Sequence, residues 1–241
     1  MSGTLHVVGL GPGDPELMTL KAARVIGAAR VVAFFSKKGR IGHARRIADA
    51  HVSAEAVELQ FEYPFTTEIA LDDPRYAEGI VAFYEDCAAI VQAHLADGRD
   101  VALLCEGDPF FYGSAMYLFD RIHTDHPTQI IPGIPGMAGA WAHAKAPITH
   151  GDDVLTVLPG TLDEDTLTAR LANSHASVIM KIGRNLDKIR RALTRAGVAD
   201  RAIYVERATM EGELICPVSE LDRAPAPYFA LVLVPGRQGK R

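Results

Sequence analysis

An α/β fold is predicted by three observations in the 241-residue chain: short apolar runs of strand length recur, amphipathic stretches of helical spacing fall between them, and turns rich in Gly and Pro follow several of the runs. Leu5 to Val8 is the first apolar run, broken by Gly9. From 17 to 29, Leu17, Leu20, Ala23, Val25 and Ile26 lie near one helical face. Residues 28 to 35 then hold a continuous apolar run, Val31 to Phe35, as expected of a strand buried on both faces. Strand, helix, strand predicts a parallel pair joined by a crossover.

The next helix is signalled by Asp72-Asp73-Pro74, where Asp73 is the expected cap and Pro74 the first helical residue. Tyr76, Ile80, Phe83, Tyr84, Cys87, Ile90, Val91 and Leu95 keep the 3.6-residue period until Gly98. Val101 to Leu104 is a buried strand ending at Glu106-Gly107-Asp108-Pro109, and 114–122 is helical. Gln129 to Ile131 closes the first group of elements at Pro132-Gly133-Ile134-Pro135-Gly136. Further strands are expected at 154–158, 178–182, 202–205 and 229–234, with helices at 162–172 and 186–196. No linker or charge run separates the halves, so a boundary near Ile134 rests on where the strand count restarts.

Composition narrows the function classes. Apolar residues are 48% and charged residues 23%, ordinary for a packed globular chain. A net charge of −5 argues against a protein whose main task is to grip nucleic acid, yet allows a local basic pocket. Cys87, Cys105 and Cys216 are too few and too scattered for a disulfide framework, and no Cys/His spacing suggests zinc. The expectations are a cytoplasmic setting, no protein-bound metal, no signal peptide before Gly9 and no apolar stretch of the roughly 20 residues that span a bilayer.

The segment Gly9-Leu10-Gly11-Pro12-Gly13-Asp14-Pro15 is not a dinucleotide fingerprint. That motif needs G-x-G-x-x-G, with the first helical turn left free for a pyrophosphate. Here the third glycine comes one place early, and Asp14 occupies the last position, where its charge would repel phosphate. The second strand ends in Phe35-Ser36-Lys37-Lys38, without an acidic residue for a ribose 2′-hydroxyl; an NADP reading with the lysines on a 2′-phosphate stays open. A tight connection with no ligand is the other plain reading. Two more Gly/Pro loops, 106–113 and 132–136, also follow strands. In an open parallel sheet such loops gather at the carboxyl edge, where ligands bind. Their acidic rather than basic character favours a neutral or cationic ligand, such as a sulfonium nucleoside.

The succession GLGPGDPELMTLKAA, EGDPFFYGSAMYLF and IIPGIPG resembles the tetrapyrrole methylase family, the S-adenosylmethionine-dependent methyltransferases that build cobalamin and sirohaem. The resemblance covers essentially the whole chain. The later stretches PGTLDEDTL, VIMKIGRNLDKIRRALTRAG, RAIYVERATM and APYFALVLV are most similar to the branch that methylates precorrin-2 at C20. It implies two α/β domains, 1–134 with a mostly parallel sheet flanked by helices on both faces and 135–241 with a mixed sheet, a cofactor cleft between them, and a homodimer.

Carried onto this chain, the resemblance implies S-adenosyl-L-methionine contacts at Pro12, Glu106, Gly107, Asp108, Phe111, Pro135 and Gly136 from the first domain and at Ile182 and Ala208 from the second. Many relatives carry small hydroxyl residues where this chain has Pro135-Gly136, which shifts any polar contact there to the main chain. Glu106 stands where the sirohaem branch often has glycine. The acceptor, precorrin-2, is a small-molecule tetrapyrrole with eight carboxylates, so Lys37, Lys38 and Arg184 are the expected substrate-binding cations. Lys37 and Lys38 belong to a basic run with Arg40, His43, Arg45 and Arg46 whose alternative is a solvated helix start. Lys181 and Arg207 flank the second-domain positions, whereas Lys188, Arg190 and Arg191 fit a solvated helix face. Trp141, Met137 and the rings at 110–112 either meet the tetrapyrrole or belong to the core. Glu106, Tyr112 and His150 are chemically able to act as a base, and none is assigned that part. Three alternatives stay open: the same step on a cobalt-containing substrate, an RNA ribose methyltransferase of the same family, and an NADP oxidoreductase or nucleotide-binding module.

Overall fold

The computed structural model describes residues 2–65, 74–222 and 225–236. The chain forms two compact units, Met1–Gly136 and Met137–Arg241. In the first, the elements run β1 (Leu5–Gly9), α1 (Leu20–Ala28), β2 (Val31–Lys37), α2 (His43–Ile47), β3 (Val57–Tyr63), α3 (Pro74–Ala96), β4 (Val101–Cys105), α4 (Ala115–Ile122) and β5 (Thr128–Ile131). All pairings are parallel, in the order β3-β2-β4-β1-β5. β1 and β2 run parallel, as the strand–helix–strand pattern predicts, but they do not pair directly: β4 lies between them, register Val7 to Leu103 on one side and Ala33 to Leu103 on the other.

The central strands are apolar on both sides because helices cover both faces. Val7, Val31, Ala33, Val101 and Leu103 pack under α3 and α4 with Tyr84, Val91, Leu95 and Leu118, while Val8, Val32, Phe34, Ala102 and Leu104 pack under α1 and α2 with Ala22, Ile26 and Ile47. Each such Leu or Ile contributes about 1.5–3 kcal/mol on burial. The helix expected from Leu17 begins later. Asp14 Oδ1 accepts from the Glu16 N–H at 2.9 Å and caps a 3-10 turn over Pro15–Leu17; α1 then starts behind its own cap, Thr19, whose hydroxyl accepts from the Ala22 N–H at 3.1 Å. The expected Asp73 cap of α3 lies outside the described residues.

The remaining elements are α5 (Gly136–His143), β6 (Leu155–Pro159), α6 (Glu164–Ala172), β7 (Ala176–Met180), α7 (Leu186–Arg195), β8 (Ile203–Glu206), β9 (Leu214–Pro217) and β10 (Ala230–Val234). The second sheet is mixed, in the order β6-β7-β10-β8-β9; β6 pairs parallel with β7 and the other pairings are antiparallel. One face packs Leu158, Ile179, Tyr204 and Val232 against α6 and α7. The other packs Val178, Val205 and Leu233 with Ala140, Met137 and Trp141 of α5, so Trp141 and Met137 are accounted for by core packing. On α7, Leu186, Ile189, Ala192 and Leu193 are buried, while Arg191 pairs with Glu164 of α6 at 2.8 Å and Arg190 reaches Asp187 and the Leu221 carbonyl. These arginines form a solvated, ion-paired face. Among the described residues no helix is long and apolar enough to cross a membrane.

Candidate cofactor and substrate site

Because every strand of the first unit runs the same way, the loops after β1, β2, β4 and β5 leave from one sheet edge. Three of them are held in backbone contact. Gly11 and Gly107 exchange a pair of hydrogen bonds, Gly11 N–H to Gly107 O at 3.2 Å and Gly107 N–H to Gly11 O at 2.8 Å. A Cβ on Gly133 would stand 2.1 Å from Gly107 O, and one on Gly9 would stand 2.5 Å from Gly133 N. Only glycine permits that approach. Asp108 completes the tie: its Oδ2 accepts from the Gly133 N–H at 3.0 Å and its Oδ1 from the Phe110 N–H at 2.9 Å.

Of the residues singled out in this unit, Pro12, Glu106, Gly107, Asp108, Pro135 and Gly136 are thereby gathered at the same edge. Pro12 is buried, Gly107 adopts φ 67° and abuts Pro135 and Gly136, and Phe111 follows in the turn closed by its N–H to Asp108 O at 3.2 Å. A Cβ on Gly136 would meet nothing within 4 Å, so the main chain faces open space there. Glu106 has a structural partner: its Oε1 accepts from the Ala44 N–H at 3.0 Å, at the start of α2, where Gly42 offers no side chain to cap the helix. Desolvation pushes the Glu106 carboxyl above its ordinary range, although the residue as a whole keeps some exposed surface.

The basic run divides in two. Lys37, Lys38, Arg40 and Arg46 are exposed at the end of β2 and beyond it. Arg45 turns back, giving both Nε and Nη2 to Glu58 at 2.8 Å and Nη1 to Asp49 at 2.8 Å, an arrangement that raises its pKa and lowers that of Glu58. Arg45 thus serves the β2–β3 edge.

In the second unit, β7 and β8 run in one direction on either side of β10. Two strand spacings separate their ends, about 10 Å. Ile182 is buried directly after β7, flanked by Lys181 at φ 55° and Gly183 at φ 43°; a Cβ on Gly183 would meet nothing within 4 Å. Ala208 follows β8 between Arg207 at φ 48° and Thr209 at φ 67°. Left-handed backbone costs a non-glycine residue about 1–2 kcal/mol, and here it recurs at Lys181, Arg207 and Thr209, beside Ile182 and Ala208. The second turn is pinned by Glu213, whose Oε2 accepts from the Thr209 N–H at 2.9 Å and lies 2.7 Å from His143 Nδ1. Lys181, Arg184 and Arg207 are exposed. Two surface hollows of about 340 Å³, one beside His6 and Arg24 and one beside Arg190 and Leu221, contain none of these turns. The strain at Tyr112, Lys181, Arg207 and Thr209 and the carboxylate of Glu213 had no signal in the sequence.

The family model for tetrapyrrole (corrin/porphyrin) methylases matches residues 4–222. The chain belongs to the tetrapyrrole methylases. Among curated relatives of this methylase, a precorrin-2 C(20)-methyltransferase from Sinorhizobium is 52% identical over 97% of this chain and 96% of its own. A cobalt-precorrin-2 C(20)-methyltransferase from Salmonella typhimurium is 27% identical over 97% of each. The fold is shared with uroporphyrin-III C-methyltransferase from Thermus thermophilus, solved as a complex with S-adenosylhomocysteine; the TM-score is 0.65 at 20% identity, covering 97% of this chain and 92% of that one. The dinucleotide arrangement is not built in this methylase, because α1 begins after the glycine loop and is capped by Thr19. Among the described residues no group of three or more His, Cys, Asp or Glu side chains is placed to hold a metal.

Proposed function

We propose that the chain transfers a methyl group from S-adenosyl-L-methionine to C20 of precorrin-2, giving precorrin-3A, in cobalamin biosynthesis. The observation that carries this is 52% identity, over nearly the full length of both chains, to a protein of that activity. The methyl donor supplies an electrophilic carbon on a sulfonium centre. Pro12, Gly107, Pro135 and Gly136 line its place with main chain, and the open space at Gly136 suits a ligand that packs against backbone. Glu106 and Asp108 act indirectly, holding α2 and the loop after β5 through the Ala44 and Gly133 N–H groups. Phe111, Ile182 and Ala208 complete the contacts of the donor.

Lys37, Lys38 and Arg184 bind carboxylates of the tetrapyrrole; all three are exposed and charged. Orientation is the main service the protein renders, since effective molarities on the order of 10⁵ M or more follow from alignment alone. The same reading includes a homodimer in the cytoplasm, with the dimer testable by light scattering.

Incubating the purified protein with S-adenosylmethionine and precorrin-2 is expected to give a mono-methylated product by mass spectrometry. No turnover of precorrin-2 or of its cobalt complex would overturn the proposal. Action on the cobalt form is the second reading, favoured by the 27% identity to the Salmonella protein; a faster rate with the metallated substrate would select it. An RNA substrate is disfavoured by the net charge of −5.

A further inference from the structure

Tyr112 stands in the loop after β4 with φ 58°, a conformation that glycine takes freely and an aromatic residue rarely. The flanking chain leaves no slack. Asp108 Oδ1 holds the Phe110 N–H at 2.9 Å, and a Cβ on Gly113 would lie 2.6 Å from Pro109 O and 2.7 Å from Cys105 Sγ. The turn therefore needs a left-handed residue next to a glycine, and it carries tyrosine. The residue is 41% exposed, and its ring tilts against Phe111 at 5.0 Å. Neighbouring exposed rings have ordinary backbone and lean on the helices, Phe110 on Phe119 at 4.9 Å and Tyr117 on Tyr84 at 4.7 Å. Backbone strain maintained on a partly exposed aromatic at the ligand edge of a parallel sheet is the kind of feature retained for contact with a ligand.

We propose that Tyr112 is a positioning residue for the methyl acceptor, its ring giving the conjugated pyrrole face an apolar surface to lie against. The inference rests on the function proposed above. Its test compares Tyr112→Gly, Tyr112→Ala and Tyr112→Phe with the unsubstituted chain in thermal melts, in calorimetric titration with S-adenosylhomocysteine and in steady-state methylation of precorrin-2. Tyr112→Gly relaxes the turn, so its Tm should rise by about 2–4 °C. The KM for precorrin-2 should rise roughly tenfold in the Gly and Ala variants, the size expected for a lost aromatic stacking contact. S-adenosylhomocysteine affinity should stay within about twofold, and Tyr112→Phe should restore the KM. A more stable Gly variant with unaltered KM and turnover would overturn the proposal, leaving a turn residue only. Loss of S-adenosylhomocysteine affinity would also overturn it, by assigning the ring to the donor. Failure of the function itself would appear separately, as absent turnover in the unsubstituted chain.

Discussion

Glu106 Oε1 accepts a hydrogen bond from the Ala44 N–H at 3.0 Å, joining the end of β4 to the first turn of α2. The carboxyl is desolvated, and its pKa is raised above the ordinary 4.5. The folded state then holds its proton more tightly than the unfolded state, so folding stability falls as pH rises from about the ordinary carboxyl value to the raised one. Glu106→Gln keeps the acceptor without the charge. Denaturant unfolding between pH 4 and 8 should show the variant gaining on the parent as pH rises; a parent that gains on the variant would show that the charged form is the stabilised one.

Asp108 links two loops through the Phe110 and Gly133 N–H groups. Removing it in Asp108→Ala leaves both donors without their acceptor, at a cost of about 1–3 kcal/mol in stability. S-adenosylhomocysteine affinity, measured by calorimetry, should fall with it. Retained affinity in a destabilised variant would separate the tie from the donor site.

The glycines at the same edge divide sharply. Gly133→Ala places a Cβ 2.1 Å from a backbone oxygen and should cost several kcal/mol or prevent folding, whereas Gly136→Ala meets nothing within 4 Å. Gly136→Ala should melt at or above the parent temperature, since it also improves a helical position, and should still bind S-adenosylhomocysteine more weakly. Unchanged binding would remove Gly136 from the donor site.

Lys37 and Arg45 test the two halves of the basic run. Lys37→Ala should raise the KM for precorrin-2 without changing S-adenosylhomocysteine affinity or stability, with the difference shrinking at high salt. Arg45→Ala, which strips Glu58 and Asp49 of their partner, should lower stability by about 1 kcal/mol. The reverse pattern would exchange their assignments.

Much of this was legible in the chain. The central strands announced themselves as unbroken apolar runs because they are covered on both faces, and α3 and α7 by their period. β3 escaped a search for such runs: Val57, Leu59, Phe61 and Tyr63 alternate with Glu58, Gln60 and Glu62, the period-2 pattern of an edge strand, and only Phe61 is buried. β9 ends on Pro217 at the other sheet's edge, and α5, rich in Gly, Ala and Met, blends with the Pro/Gly loop before it. That the Gly/Pro loops share one sheet edge followed from strand order, but their mutual grip did not. It depends on contacts such as Gly9 to Gly133 and Glu106 to Ala44, which join residues 124 and 62 places apart and leave no local mark.

The place of β4 governs how the first unit is assembled. β1 and β2 are made early, but each finds its shared neighbour only when residues 101–105 arrive. A chain emerging from the ribosome would carry β1 unpaired and β2 paired only on its β3 side until about residue 105 is exposed, a window in which mispairing competes with folding. Those pairings are non-local, which is expected to slow folding of the N-terminal unit, and a fragment ending before β4 should fail to form a stable sheet.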